Sequence, residues 1–284
     1  MANHPALDFS LPRLMAIVNV TPDSFSDGGL LYKGNAIDVD KVAQRLQGLI
    51  AEGADIIDIG GESTRPGAAA VSLQEELDRV VPVVEWLSRE TDVAISVDTS
   101  SPEVMLEAAD KGAHLINDVR ALSRDGALQA VASTELTVCL MHMQGMPATM
   151  QNNPHYLHVV NEVSQYLQER IAVCLEEGIT ANKIIVDPGF GFGKTLEHNL
   201  SLLRQLPEVC RLGFPVLAGM SRKAMIGHLL GRELHERLPA SLGLGMLALE
   251  RGAKILRVHD VAATRDIIDL FVAINNNSNA IICE

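Results

Sequence analysis

Eight short apolar segments recur along the chain, and a longer stretch with helical periodicity separates each one from the next. The segments are rich in Val, Ile and Leu and almost continuously hydrophobic, which is typical of parallel strands buried on both faces. The stretches between them place apolar residues every three or four positions, as amphipathic helices do. We predict strands at 14–20, 54–60, 93–99, 114–119, 137–143, 183–189, 215–220 and 254–260.

This alternation of strand and helix predicts an α/β fold, and a single (β/α)8 TIM barrel fits it best. The chain has 284 residues and no Pro- or Ser-rich linker, so we expect one domain over 1–284, with the barrel over about 14–273. Long loops rich in Gly, Ser and Pro are predicted after strands 1 and 2. An open doubly wound sheet is the alternative, because strand order cannot be deduced from the sequence.

Composition argues against several classes of function. Lys and Arg number 23 against 36 Asp and Glu, and the net charge of -13 argues against nucleic-acid or anionic-membrane partners. The four cysteines form no C-x-x-C pair, so neither a disulfide framework nor a zinc ribbon is indicated. No apolar run approaches a membrane span, and the first residues lack a signal-peptide core. We therefore expect a soluble, cytoplasmic protein.

A polar or glycine-rich cluster ends each predicted strand. In a barrel the C-terminal ends of the strands surround the active site, so eight such clusters together predict a converging site. For a single cluster, the start of a loop or a helix N-cap would be the better explanation. The clusters lie at 19–21, 60–64, 98–99, 117–118, 142–144, 187–189, 221–223 and 257–259.

Hydrogen-bond acceptors end three of the strands. Asp98, Asn117 and Asp187 follow strands 3, 4 and 6. Convergent acceptors in an apolar barrel mouth suit a flat heterocycle that presents several N–H groups. Helix capping is the alternative for Asp98, which precedes Thr-Ser-Ser-Pro, and for Asp187, which precedes a proline. Both interpretations stay open at this point.

Basic residues and one amide indicate a phosphate site. Asn19 ends strand 1, and Arg257 and His259 end strand 8, its neighbour in a closed barrel. Arg and His donate charge-assisted hydrogen bonds to phosphate, and an Asn oxygen suits Mg²⁺. Lys223 opens the helix after strand 7, where a cation usually faces an anionic ligand or a carboxylate. A solvated Arg, a core His and a surface Lys are the alternatives.

Two apparent motifs do not fit the site that they suggest. The segment 189–195, GFGFGKT, looks like a phosphate loop, but Pro188 stands where the motif requires its first glycine. His155 and His158 could share one helix face, yet no third metal ligand lies near them in the sequence. The first segment is therefore not interpreted as a phosphate loop, and the two histidines are not interpreted as a metal site.

Taken in order, eight motifs resemble those of the dihydropteroate synthase family, from Leu14 to about Leu270. The resemblance implies a transferase of folate synthesis that joins 6-hydroxymethyl-7,8-dihydropterin diphosphate to p-aminobenzoate and releases pyrophosphate. It also implies Mg²⁺ as cofactor, a homodimer and a target for sulfonamides. The motifs are MAIVNVTPDSFSDGG, GADIIDIGGESTRPG, SVDTSSPEV, INDV, LMHMQGMP, DPGFGFGK, GMSRKAMIG and RVHDV.

The resemblance further implies a role for each matching residue. Four residues would be catalytic: Lys223, Arg257, His259 and Asn19. Asn19 would also bind Mg²⁺. The implied substrate contacts are Asp98, Asn117, Asp187 and Lys223 for the pterin, Thr64, Arg257 and His259 for the diphosphate, Pro66, Phe192 and Ser221 for p-aminobenzoate, and Arg65 as a further substrate-binding residue.

Two other functions stay open on the sequence alone. A pterin-binding methyltransferase that passes a folate methyl group to a corrinoid shares the barrel and the pterin acceptors. It would not need Arg257 and His259 beside Mg²⁺. The second is a non-catalytic relative that binds a pterin or serves as a scaffold for a partner. Loss of the first or second loop motif or of Lys223 would indicate it, and all of these are intact.

Overall fold

Eight parallel strands alternate with helices in the computed structural model, which describes residues 4–21, 32–33, 36–62, 71–147 and 149–275. A short antiparallel pair, Tyr32–Lys33 with Ala36–Ile37, precedes the first helix. The barrel strands are β1 Arg13–Asn19, β2 Ile56–Gly60, β3 Ala94–Asp98, β4 Leu115–Asp118, β5 Thr137–Met141, β6 Ile184–Asp187, β7 Leu217–Ala218 and β8 Ile255–Val258.

The strands close into a barrel. Their hydrogen-bonded order is β6-β5-β4-β3-β2-β1-β8-β7, and every neighbouring pair is parallel. A parallel bridge between Val186 and Val216 then connects β6 to the start of β7. The predicted (β/α)8 barrel is confirmed, and the open doubly wound sheet is wrong. Most of the predicted long loops after β1 and β2 lies outside the described residues, at 22–31 and 63–70.

Ten helices are described outside the barrel strands, with three short 3-10 helices, Pro5–Leu7, Ala181–Lys183 and Leu234–Glu236. Local sequence sets where several of them begin. Before the helix Leu73–Glu90, Ser72 Oγ accepts from the Glu75 amide at 3.3 Å, and the Glu75 carboxylate accepts from the Ser72 amide at 2.9 Å. The helices are α1 Val39–Ala51, α2 Leu73–Glu90, α3 Pro102–Asp110, α4 Ala127–Ala132, α5 Val159–Glu176, α6 Leu196–Arg204, α7 Leu206–Cys210, α8 Ala224–Leu230, α9 Leu238–Glu250 and α10 Val261–Asn275.

Several predicted strands extend beyond the observed ones. The sixth was predicted over 183–189, whereas β6 is Ile184–Asp187, because Pro188 has no amide N–H to donate to a neighbouring strand. The seventh was predicted over 215–220, whereas β7 is Leu217–Ala218 between Pro215 and Gly219. Apolar composition therefore located the strands, and Pro and Gly shortened them.

Each strand contributes one apolar residue to a layer inside the barrel. Leu7, from the 3-10 helix before β1, packs against this layer, so the N-terminal end of the barrel is filled. The opposite faces of the strands pack against the helices in the larger core. The inner layer consists of Met15, Ile56, Ala94, Leu115, Cys139, Ile185, Leu217 and Ile255.

The inward positions become polar two residues further along most of the strands. Side chains alternate across a strand, so a residue two positions beyond an inward residue also faces the interior. The polar set therefore lies at the C-terminal mouth of the barrel. The polar inward residues are Asp58, Ser96, Asn117, Asp187 and Arg257.

None of the helices within the described ranges is long and apolar enough to cross a bilayer.

Candidate active site

The ends of the first four strands form one row across the sheet. The parallel register pairs Asn19 with Gly60 and Gly60 with Asp98. It then pairs Asp98 with Asn117. A Cβ on Gly60 would lie 3.3 Å from Asn19 Oδ1 and 3.7 Å from the Asp98 Cβ, so glycine keeps this position open. The strand ends thus bring three predicted site residues around one small space.

Arg257 connects the last strand to this row. Its Nε donates to Asp58 Oδ2 at 2.6 Å, and its Nη2 donates to Asp98 Oδ2 at 2.8 Å. Burial acts to lower the pKa of Arg257, but the carboxylates of Asp58 and Asp98 raise this pKa above its ordinary value. The guanidinium is therefore a permanent cation at the floor of the mouth.

Asp58 is a site residue that the strand pattern did not reveal. Its side chain is fully buried, and its carboxylate accepts from Arg257, from Ser96 Oγ at 2.6 Å and from Asn117 Nδ2 at 3.1 Å. A charge at an inward position of a buried strand requires such partners. The sequence offered one signal: Asp58 is an acidic residue two positions after the inward Ile56 in an otherwise apolar strand.

Opposing effects set the acidity of Asp98. Burial raises the pKa of its carboxyl to about 7, and the Arg257 cation acts in the opposite direction. The neighbouring Asp58 carboxylate adds to the effect of burial. Above about pH 7, Asp98 therefore presents an anionic acceptor to the mouth of the barrel.

Asp187 and Lys223 approach the mouth from β6 and from the start of α8. Asp187 Oδ1 accepts from the Gly189 amide at 2.7 Å, so this oxygen serves the turn after β6. Burial raises the pKa of Asp187, and Lys223 opposes the change. Burial also lowers the pKa of Lys223 to about 8, and here Asp187 opposes. The helix cap considered for Asp187 is not observed, since Thr195 caps the next helix. Asp187 serves a turn instead, and its inward position keeps ligand binding open.

Phe192, in the loop after β6, lies against Lys223 at the start of α8. Lys223 Nζ donates to the carbonyl oxygen of Phe190 and lies 4.6 Å from the centroid of the Phe192 ring. A cation over an aromatic face is attracted by the ring quadrupole, which favours this arrangement. The loop after β6 and the start of α8 therefore bring two predicted site residues together.

Ser221 joins the ends of β7 and β8. Its Oγ accepts from the His259 amide at 3.2 Å and lies 3.1 Å from His259 Nδ1. The neighbouring Arg222 pairs with Asp260, with 2.9 Å between Nε and Oδ2. Arg222 therefore faces a carboxylate, one of the two partners expected of a cation at the start of this helix.

Three predicted substrate-binding residues, Thr64, Arg65 and Pro66, lie outside the described residues. Within the described ranges, no three His, Cys, Asp or Glu side chains form a group that could hold a metal ion. Asn19 can offer a metal ion one neutral oxygen at the end of β1.

The chain is similar to proteins of known activity. The family described as Pterin binding enzyme matches residues 15–259. The dihydropteroate synthase of Haemophilus influenzae is 51% identical over 275 residues, which cover 97% of this chain and 98% of that protein. This relative therefore matches the chain over almost its whole length.

Solved structures agree with the sequence comparisons. The Yersinia pestis dihydropteroate synthase with a sulfonamide drug complex has a TM-score of 0.90 at 50% identity and covers 94% of this chain and 95% of that one. The Xanthomonas albilineans dihydropteroate synthase in complex with 7,8-dihydropteroate has a TM-score of 0.80 at 45% identity and covers 94% of each chain. The family resemblance read from the motifs is confirmed, and the chain belongs to the dihydropteroate synthases, which are enzymes of the pterin-binding family.

Proposed function

We propose that the chain joins 6-hydroxymethyl-7,8-dihydropterin diphosphate to p-aminobenzoate at the mouth of the barrel, forming 7,8-dihydropteroate and pyrophosphate. One observation carries this proposal: Asp98 and Asn117 share a row with Asn19, and the Arg257 cation is bonded to Asp98. Acceptors for a pterin and a cation for a diphosphate thus lie side by side. The Xanthomonas albilineans relative was solved with 7,8-dihydropteroate, which supports this product.

The reaction exchanges one bond at the pterin CH2 carbon. The bond from this carbon to a diphosphate oxygen breaks, and its electron pair leaves with pyrophosphate. The electron-rich pterin delocalises the positive charge that develops on the carbon. The amine lone pair of p-aminobenzoate forms the new C–N bond, and the amine releases one proton. A neutral amine is the nucleophile, so catalysis depends on placement and charge stabilisation rather than on a strong base.

Asp98, Asn117 and Asp187 hold the pterin in this proposal. A pterin presents a ring N–H beside an exocyclic amine, and a carboxylate can accept from both groups. Asp187 Oδ1 already accepts from the Gly189 amide, so its second oxygen is the one that faces the ligand donors. Lys223 adds an ammonium donor for acceptor atoms of the ring.

Arg257 and His259 bind the diphosphate, together with Thr64 from the loop after β2. Arg257 directs two N–H groups to Asp58 and Asp98 and can direct others to phosphate oxygens. If the Ser221 hydroxyl donates to His259 Nδ1, the proton of the neutral ring lies on Nε2, which can then donate to the leaving group. Arg65 is assigned to the same loop as a further substrate contact.

Asn19 fits a magnesium ion that arrives with the diphosphate. Mg²⁺ usually retains several waters and takes phosphate oxygens from the substrate, so it needs few protein ligands, and the Asn19 amide oxygen would be one of them. Asn19 Oδ1 lies beside Gly60 at the same end of the barrel as Arg257. When bound, the ion would neutralise charge on the departing pyrophosphate.

Phe192 and Ser221 line the p-aminobenzoate pocket, with Pro66 from the loop after β2. The Phe192 ring provides an apolar face, and Lys223 keeps a cation beside it. This pocket lies next to the phosphate-binding residues because Ser221 contacts His259. The amine can therefore approach the pterin carbon that carries the diphosphate.

We infer a cytoplasmic location from the cysteines. Cys139, Cys174 and Cys210 are free thiols, and the first two are buried. Free thiols are typical of reducing compartments, whereas secreted proteins usually pair theirs. Burial raises the pKa of the Cys174 thiol to about 11, so this thiol stays protonated and unreactive near neutral pH.

The surface formed by α8 and α9 is assigned to a second copy of the chain. In α9, no charged residue occurs before Glu250, yet the buried residues of this helix are Ala248 and Leu249 alone. Leu229 and Leu230 of α8 are more than half exposed. A contiguous apolar surface of this kind is typical of subunit interfaces. Its groove is lined by Met225, Ile226, Leu229, Leu230, Ala240, Gly243, Leu244 and Leu247.

Light scattering tests the homodimer. At micromolar concentration we expect a mass of about 61 kDa, twice the 30.6 kDa of the chain. Leu230→Glu should shift the mass towards the monomer, because the interface would bury an unpaired charge. Leu157→Glu is the matched control, since Leu157 is 83% exposed and lies outside this groove. A monomer mass for the unaltered protein would count against the assignment.

Pyrophosphate release tests the reaction and the metal together. With pterin diphosphate and Mg²⁺ supplied, we expect release of pyrophosphate to depend on p-aminobenzoate. Excess chelator should abolish turnover, because the described residues include no carboxylate cluster that could retain the ion against a chelator. Full activity in excess chelator would show that turnover does not depend on a metal ion bound by Asn19. Pyrophosphate release at the same rate with and without p-aminobenzoate would contradict the transferase reaction.

Asp187→Asn should retain the fold and lose most of its pterin affinity. The variant replaces one acceptor by an NH2 group, so a ligand donor then faces another donor. The lost charged hydrogen bond is worth about 1.5–3 kcal/mol, and the mispaired donor costs on the order of 1–3 more. The sum corresponds to at least about fiftyfold weaker binding. Calorimetric titration with 6-hydroxymethyl-7,8-dihydropterin measures this loss.

Thermal unfolding of the same variant separates ligand binding from turn formation. The amide oxygen introduced by Asp187→Asn can still accept from the Gly189 amide, so the Tm of this variant should hardly fall. Asp8→Asn is the matched control, because Asp8 Oδ1 accepts from the Ser10 amide at 2.9 Å in a turn before β1, at the N-terminal end of the barrel. Its pterin affinity should match that of the unaltered protein. A clear drop in Tm with intact pterin binding would show that Asp187 is only a turn residue.

A further inference from the structure

Lys194 is a buried lysine that the proposed reaction does not use. It ends the GFGFGK segment, and its side chain is almost fully buried. Nζ donates to the Gly189 carbonyl at 2.9 Å and to the Phe192 carbonyl at 3.0 Å, and it lies 2.9 Å from His142 Nδ1. Nζ also donates to the His142 carbonyl at 3.4 Å. Three backbone carbonyls and a ring nitrogen thus surround the amine, and its hydrogen bonds join the loop after β6 to the end of β5.

The amine of Lys194 can donate to the Gly189 and Phe192 carbonyls in either protonation state. Burial lowers the pKa of Lys194 to about 7, with Asp187 opposing, and burial lowers the pKa of His142 to about 3. A protonated Lys194 therefore donates to two carbonyls and to Nδ1 of a neutral imidazole. A neutral amine can still donate to both carbonyls while its lone pair accepts from the other imidazole tautomer.

The loop after β6 packs closely against the chain after β5 at two glycines. Gly189, with φ 68°, and Gly193, with φ 60°, adopt left-handed conformations, and a Cβ on either would overlap a carbonyl oxygen of the chain after β5. Tyr156 donates its hydroxyl to the Gly193 carbonyl at 2.8 Å. Lys194 and Tyr156 therefore fix the two ends of the segment from inside the protein.

The same segment carries two contacts of the site. The Phe190 carbonyl accepts from Lys223 Nζ, and the Phe192 ring lies beside that ammonium. The carbonyl of Phe192 is bonded to Lys194, so the two lysines hold the backbone and the ring of one residue. A shift of this peptide would move the aromatic wall of the pocket directly.

We propose that Lys194 is a positioning residue for the p-aminobenzoate pocket: by holding the Gly189 and Phe192 carbonyls, it places the Phe192 ring beside Lys223. The inference rests on the proposed function, which assigns Phe192 to that pocket. It gives the GFGFGK segment a role, because its glycines bring two carbonyls to a buried amine rather than amides to a phosphate.

The kinetics of Lys194→Met test this role, because Met keeps an unbranched apolar side chain and removes the amine. We expect the KM for p-aminobenzoate to rise about tenfold, as two hydrogen bonds to the loop are lost. The KM for pterin diphosphate should change by less than about threefold on the same scale. Lys111→Met removes a partly exposed lysine with ion pairs to Glu107 and Asp110 and should change neither value.

Phe192→Ala separates failure of the pocket assignment from failure of the inference. If Phe192→Ala raises the KM for p-aminobenzoate and Lys194→Met does not, the pocket assignment stands and the positioning role is overturned. If Phe192→Ala leaves this KM unchanged, the pocket assignment fails and the inference falls with it. Equal increases in both KM values for a folded Lys194→Met would show a merely structural lysine and overturn the role.

Tyr156→Phe keeps the inference testable if Lys194→Met does not fold. This variant removes only the hydroxyl that holds the Gly193 carbonyl at the other end of the segment. We expect a smaller rise in the KM for p-aminobenzoate, with the KM for pterin diphosphate unchanged and folding verified by thermal unfolding. An unchanged KM for p-aminobenzoate would show that the segment needs no anchoring, which overturns the proposal.

Discussion

A buried ion pair between Arg257 on β8 and Asp58 on β2 organises the mouth of the barrel. Asp58 has no exposed surface, and the Arg257 side chain is only 19% exposed, so each charge depends on the other for compensation. Removing one partner of such a pair typically costs about 3–5 kcal/mol, because the remaining charge stays buried. Arg257 also bonds to Asp98, and Asp58 also bonds to Asn117. One hydrogen-bond network therefore fixes predicted substrate contacts on three different strands.

The barrel accommodates this network because its interior changes in polarity along the strands. The N-terminal half is filled by one apolar residue from each strand and closed by Leu7. Two positions further on, Asp58, Asn117 and Arg257 face the same interior and satisfy one another. Stability and function are thus divided along the axis of the barrel, and the site rests on a packed apolar floor.

The sequence predicted the barrel because buried parallel strands are continuously apolar and their polar ends are distinctive. It predicted Asp98 and Asn117 at the mouth for the same reason. Asp58 escaped notice because it lies inside an apolar strand, where a partner such as Arg257, 199 residues away along the chain, becomes evident only in the folded barrel. Lys194 was missed because its partners, the carbonyls of Gly189 and Phe192 and the ring of His142, become evident only in the folded loop. The sequence favoured a closed barrel but left the strand order open, and the pairing of Val186 with Val216 shows the closure.

A double-mutant cycle on kcat/KM for pterin diphosphate tests the central claim, that Asp58 supports the site through Arg257. Asp58→Asn should lower kcat/KM about tenfold in the unaltered protein, a free-energy change within the range measured for coupled neighbours. In an Arg257→Met background the same change should alter kcat/KM less than about twofold, because the cation that Asp58 holds is already gone. An equal tenfold loss in both backgrounds would show that Asp58 acts independently of Arg257 and would contradict the account.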